Sequence, residues 1–110
     1  MIEQDNAMRL IQEMARRIAA ACHPERIILF GSRARGEAGP SSDADLLMVT
    51  NYPGTRRECT SSLYGVLAGI GLAKDIVVVT PAEFDRYRDI VGTVVYPAAQ
   101  EGMVLYDRAS

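Results

Sequence analysis

The spacing of apolar residues along the chain changes several times, and each change predicts an element. From Glu3 to about Cys22, the residues Met8, Ile11, Met14, Ile18 and Cys22 recur at three- and four-residue intervals, which stacks them on one stripe of a helix. Pro24 ends that helix. Arg26-Ile27-Ile28-Leu29-Phe30 is a short run of strand formers closed by Gly31-Ser32, so a strand feeds a glycine turn. Ala38-Gly39-Pro40-Ser41-Ser42 is a connection. Asp43 to Thr50 then reads as a second strand, with two acidic residues at its start and apolar residues on both faces.

Asn51-Tyr52-Pro53-Gly54 has turn chemistry, and Thr55-x-x-Glu58 has the form of a capping box. Cys59, Leu63, Val66, Leu67 and Ile70 follow at helical spacing and predict a second long helix. Lys74 to Thr80 contains the β-branched run Ile76-Val77-Val78-Val79, a third strand expected at the centre of the sheet. Thr80-Pro81-Ala82-Glu83 supplies a cap, a first-turn proline and an acidic third position for a helix through Phe84 and Tyr87. A helical stretch around Val94 to Glu101, then Gly102 and a strand Met103 to Tyr106, close the chain. The alternation predicts an α/β (α+β) fold, a mixed, mostly four-stranded sheet with helices packed on it.

With 110 residues and 48% hydrophobic content, residues 1–110 read as one domain with a single core. A net charge of −2 argues against adhesion to phosphate backbones, which takes a clearly basic face. Aromatics at 6% and no Trp leave no stacking platform for single-stranded bases. No direct nucleic-acid partner is expected. Cys22 and Cys59, the two cysteines, fall on apolar helix faces and read as reduced and structural. Met1 to Asp5 lacks a basic region before an apolar core, and no apolar run approaches the ~18 residues of a spanning helix. No membrane partner and a cytoplasmic location are the expectation.

The chemistry concentrates between Gly31 and Leu47. Alternate residues of a strand share a face, so Asp43 and Asp45 would point the same way with Cα atoms about 6.7 Å apart. Two carboxylates at the edge of an apolar strand repel unless a cation lies between them. Magnesium suits such a pair, because it takes oxygen ligands and fills its remaining positions with water and substrate phosphates. Asp75, at the head of the third strand, could join them if the second and third strands are neighbours. Upstream, Gly31-Ser32 opens a possible short helix at Arg33-Ala34-Arg35, where backbone N–H groups and a hydroxyl would face an anion. Arg33 and Arg35 add positive charge. The stretch is neither a Walker A loop nor a G-x-G-x-x-G turn. A phosphate cradle facing an acidic metal site fits phosphoryl or nucleotidyl transfer.

Gly31-Ser32, ten intervening residues, Asp43-x-Asp45, and a later strand beginning Asp75-Ile76-Val77-Val78 together resemble the DNA polymerase β-type nucleotidyltransferase superfamily in its minimal branch. The resemblance spans nearly the whole chain. It implies that Asp43 and Asp45 hold two Mg²⁺ ions, with Asp75 completing the catalytic metal site and helping to activate the attacking hydroxyl. It implies that Gly31 and Ser32 hold the β- and γ-phosphates of a nucleoside triphosphate. The implied reaction is in-line attack of a hydroxyl on the α-phosphorus with pyrophosphate leaving. Minimal members often occur beside a HEPN-domain protein as a toxin–antitoxin-like pair, so the resemblance also implies AMP transfer from ATP to a tyrosine of a helical HEPN-like partner.

Other readings stand beside these. Asp43 and Asp45 also suit a turn, Asp75 a solvated carboxylate beside Lys74, Ser32 a helix cap, and Arg33 and Arg35 surface charges. His23 beside Pro24 suits a helix end. The five tyrosines are expected at the rim of the core with exposed hydroxyls. The first helix's stripe reads as core, and any exposed part of it as a homo-oligomer or partner surface. Two further functions remain open: transfer to a small molecule such as an aminoglycoside, and a catalytically silent binding module.

Overall fold

A computed structural model describes residues 4–110 of the chain. The elements follow in the order α1 (Gln4–Cys22), β1 (Arg26–Phe30), α2 (Ser32–Arg35), β2 (Ala44–Val49), α3 (Arg56–Val66), β3 (Lys74–Val79), α4 (Pro81–Tyr87), α5 (Val95–Glu101) and β4 (Met103–Asp107). The expected helix start at Glu3 lies outside the described residues. Four strands form one sheet in the order β3-β2-β1-β4. β1 pairs antiparallel with β2 and β4, while β2 and β3 run parallel. Such a parallel pair needs a crossover, which α3 supplies.

Alternation along the strands divides the core into two layers. Ile27, Leu29, Ala44, Leu46, Met48, Ile76 and Val78 face a layer closed by Ile11, Met14 and Ile18 of α1 and Leu63 of α3. Ile28, Leu47, Val49 and Val79 face the other layer, with Phe84 of α4 and Val95 and Ala98 of α5. Both faces of β2 are thus covered, which is why its sequence is apolar throughout. The stripe of α1 is core, and Ile11, Met14 and Ile18 are fully buried.

Both capping boxes form. The Thr55 and Thr80 hydroxyls accept from the backbone N–H of Glu58 and Glu83, whose carboxylates accept in return from the threonine N–H groups. The periodicity over Cys59 to Ile70 outlasts its helix. α3 stops at Val66, yet Leu67 and Ile70 stay buried from the turn that follows.

The expectation that β3 is central is corrected, because it forms an edge of the sheet. Its run of β-branched residues reflects helices on both its faces rather than strands on both its sides: Ile76 and Val78 pack toward α1 and α3, and Val77 and Val79 toward α4 and α5. The apolar character of a strand residue follows mainly from what covers its face of the sheet, whether the strand is central or at an edge. The Tyr64 hydroxyl accepts a hydrogen bond from the outward Ile76 N–H at 3.0 Å. A tyrosine therefore occupies one donor of the open edge, and its hydroxyl is not simply solvated as the sequence suggests. Among the described residues no helix is long and apolar enough to cross a membrane.

Tyr64→Phe removes that acceptor and leaves the Ile76 N–H without a protein partner. It is expected to lower stability by about 1 kcal/mol, read as a shift of the urea midpoint with an unchanged slope. An unshifted midpoint would mean that solvent replaces the hydroxyl without loss.

Candidate active site at the start of the parallel strands

Register brings the acidic residues together. In the β2–β3 ladder Asp45 lies directly beside Asp75, and alternation puts both on the α4–α5 face, in line with Leu47 and Val49 on one strand and Val77 and Val79 on the other. Adjacent strands are about 4.8 Å apart, so the two residues are close neighbours at the open start of the strands. Asp43, the expected first residue of this strand, lies one residue ahead of β2, which begins at Ala44. Asp43 and Asp75 are exposed and Asp45 is half-buried.

Asp45 carries the electrostatic cost of this arrangement. Burial pushes its carboxyl above the usual range, and the charges of Asp75 and Asp43 push it further, while Arg35 acts in the opposite direction. None of the three carboxylates accepts a hydrogen bond from, or forms an ion pair with, a described residue. In this geometry no three acidic, histidine or cysteine side chains among the described residues lie close enough to hold a metal ion. Like charges without a counter-ion are expected to stand apart in this way. The donor set nonetheless suits a hard divalent cation: oxygen atoms only, two of the three groups solvent-facing, all with free lone pairs, and repulsion that a cation relieves.

The Gly31-Ser32 turn is built against these carboxylates. Phe30, the last residue of β1, pairs with Asp45, and the next residue is Gly31 at φ 76°. A Cβ on Gly31 would collide with Oδ2 of Asp45, so glycine is required both by its backbone conformation and by the approach of the carboxylate. Gly31 is also the N-cap of α2, and no side chain caps that helix. The Ser32 hydroxyl is therefore not the cap that the sequence allows. The first N–H groups of the turn lack acceptors within the helix and are available beside the carboxylates.

The two arginines take different positions. The Arg35 Nε donates to Oε1 of Glu37 at 2.5 Å, its Nη1 lies 4.0 Å from Oε2 of Glu101, and its charge reaches Asp45. Arg35 is thus the cation at the rim of the acidic cluster. Arg33 is buried, and its Nε and Nη2 both donate to the Ser42 carbonyl, at 2.9 and 2.6 Å. The structure places it on the connection between α2 and β2. Sequence reasoning did not foresee this bond, because an arginine in a glycine- and serine-rich stretch gives no sign of burial. Glu37 could have been found, since it stands two residues from Arg35. His23 ends α1 at φ 47°, and its carbonyl accepts from Arg108. Cys22 and Cys59 are free thiols.

Gly31→Ala should lower stability by about 1–3 kcal/mol through strain and collision, measured by chemical denaturation. A tolerated Ala would mean that Asp45 rotates away without cost. Asp45 favours protonation in the folded state, so it costs metal-free stability at neutral pH, and that cost fades as pH falls toward about 4. Asp45→Asn should therefore melt above wild type at pH 7 without divalent ions, with the gap closing as pH drops to 4. Equal melting at pH 7 would contradict the repulsion.

A crystal structure of a Sulfolobus solfataricus protein described as a candidate nucleotidyltransferase shares the fold, with a TM-score of 0.69 over 97% of this chain and 86% of that one, at 22% identity. No curated protein matches the sequence. The sequence pattern of the nucleotidyltransferase domain matches residues 7–101. That span runs from α1 through the Gly31-Ser32 turn and both acidic strands to the end of α5, and the chain belongs to the nucleotidyltransferase domain family.

Proposed function

We propose that the protein transfers a nucleoside monophosphate, AMP from ATP, to a hydroxyl of a partner protein, with Mg²⁺ as the cofactor. The observation that carries this reading is the packing of Asp45 against Gly31 on one side and Asp75 on the other. It sets a carboxylate pair against the turn whose free N–H groups suit phosphate.

In the proposed reaction the N–H groups and hydroxyl of the Gly31-Ser32 turn bind the β- and γ-phosphates, and Arg35 adds charge at the rim. Asp43, Asp45 and Asp75 are the residues that would hold the divalent ions, whose contribution is to neutralise the carboxylates and phosphates and polarise the reacting phosphate. Asp75, exposed at the head of β3, accepts the proton of the attacking hydroxyl. The new O–P bond forms at the α-phosphorus, and the bond to the pyrophosphate oxygen breaks. Asp43 and Asp75 face solvent rather than an enclosed acceptor pocket, which favours a hydroxyl presented by a macromolecule. A helical HEPN-like protein carrying an acceptor tyrosine is the proposed partner, on the strength of the motif resemblance.

The test is incubation with Mg²⁺ and ATP labelled on the α-phosphate, in extract from the source organism. Label should appear on a protein band with wild type, fall by on the order of 10²–10³-fold in Asp43→Asn/Asp45→Asn, and vanish with EDTA. Label on a small metabolite would replace the protein acceptor with a small-molecule one. Transfer that survives in the double variant would overturn the metal-site assignment. No label from any of the four nucleotides, with folding verified, would favour the binding module.

A further inference from the structure

We infer that Arg33 is a positioning residue, which sets the metal-binding geometry of Asp43 by holding the peptide immediately before it; this rests on the nucleotidyl-transfer reading above. Arg33 is buried at 8% exposure, and its guanidinium makes no ion pair with a described residue. A buried cation without a carboxylate is costly unless its hydrogen bonds are good, and both of its bonds converge on one acceptor, the Ser42 carbonyl, at 2.9 and 2.6 Å. That carbonyl belongs to the peptide linking Ser42 to Asp43.

Ser42 is otherwise tied to Gly39 through both its backbone and its side chain. Its N–H donates to the Gly39 carbonyl at 3.2 Å, and its hydroxyl accepts from the Gly39 N–H at 3.0 Å. The turn from Gly39 to Ser42 is closed on itself, and Arg33 fastens it to α2. Asp43 needs such a support, because its exposed side chain has no partner among the described residues that would orient it. Asp45 needs none, since the β1 and β2–β3 ladders fix it. The arginines thus divide the work: the charge of Arg35 acts on Asp45, whereas Arg33 is absent from the charges that shift Asp45 and acts through the backbone. Two of the three guanidinium nitrogens, Nε and Nη2, are committed to the Ser42 carbonyl.

The test is a double-mutant cycle read by Mn²⁺ affinity, from electron paramagnetic resonance on the whole chain, with melting temperature recorded in parallel. Arg33→Met keeps the apolar stem and removes the donors; it should weaken Mn²⁺ binding about tenfold, the scale of losing a residue that orients a ligand. Arg33→Lys, with one donor restored, should recover part of that loss. Asp43→Asn should weaken binding, and Arg33→Met added to it should cost little more, because both act through the same carboxylate. Wild-type affinity in Arg33→Met, or losses that multiply in the double variant, would overturn the inference, the latter by exposing a general structural effect. Should Arg33→Met fail to fold, Arg33→Lys in the same cycle decides the matter. Failure of wild type to bind Mn²⁺, or binding indifferent to Asp43→Asn and Asp45→Asn together, would instead remove the transfer reading itself and this inference with it.

Discussion

Two carboxylates side by side on parallel strands, with a third just ahead and little positive charge among them, form the constraint around which this molecule is arranged. Asp45 and Asp75 are ladder partners, and burial of one of them makes the repulsion more costly than it would be in water. A fold does not keep such a feature for stability, because an amide at either place would remove the conflict. Perturbed ionisation of this kind is characteristic of sites that bind or react. Family membership, established over residues 7–101, gives that expectation its chemical direction.

The rest of the architecture keeps those groups in place. Core packing covers both faces of β1 and β2, and their pairing runs up to Phe30 and Asp45, so the register of the ladder places their ends at the site. Gly31 admits the Asp45 carboxylate where any other residue would put a Cβ, and the same φ that favours glycine turns the chain into α2. The two sides of the site, the Gly31-Ser32 turn and the carboxylates, are therefore one packing unit rather than two loops that happen to meet. Arg33 extends that unit to Asp43, which lies beyond the ladder, and Arg35 supplies the local counter-charge, shared with Glu37 and Glu101.

Much of this was legible in the residues, for identifiable reasons. Capping boxes are local chemistry, so Thr55-Glu58 and Thr80-Glu83 marked two helix starts correctly. The sequence let Asp75 join Asp43 and Asp45 only on the condition that the second and third strands are neighbours, and the β2–β3 ladder meets that condition. Strand order was not legible: Ile76 to Val79 are apolar because helices cover both faces, and the same residues would suit a centre or an edge. Nor was the end of α3, since Leu67 and Ile70 stay buried after the helix has stopped. The burial of Arg33 left no trace either, because its partner is a backbone carbonyl and carries no residue identity.

The central claim is that Asp43, Asp45 and Asp75 converge on divalent cations beside a triphosphate bound at Gly31-Ser32. Anomalous diffraction from crystals grown with Mn²⁺ and a non-hydrolysable nucleoside triphosphate analogue addresses it most directly. The account predicts Mn²⁺ density at about 2.1 Å from oxygens of Asp43 and Asp45, with the terminal phosphates on the N–H groups of the Gly31-Ser32 turn. Mn²⁺ and triphosphate bound elsewhere, or neither bound at saturating concentration, would contradict it.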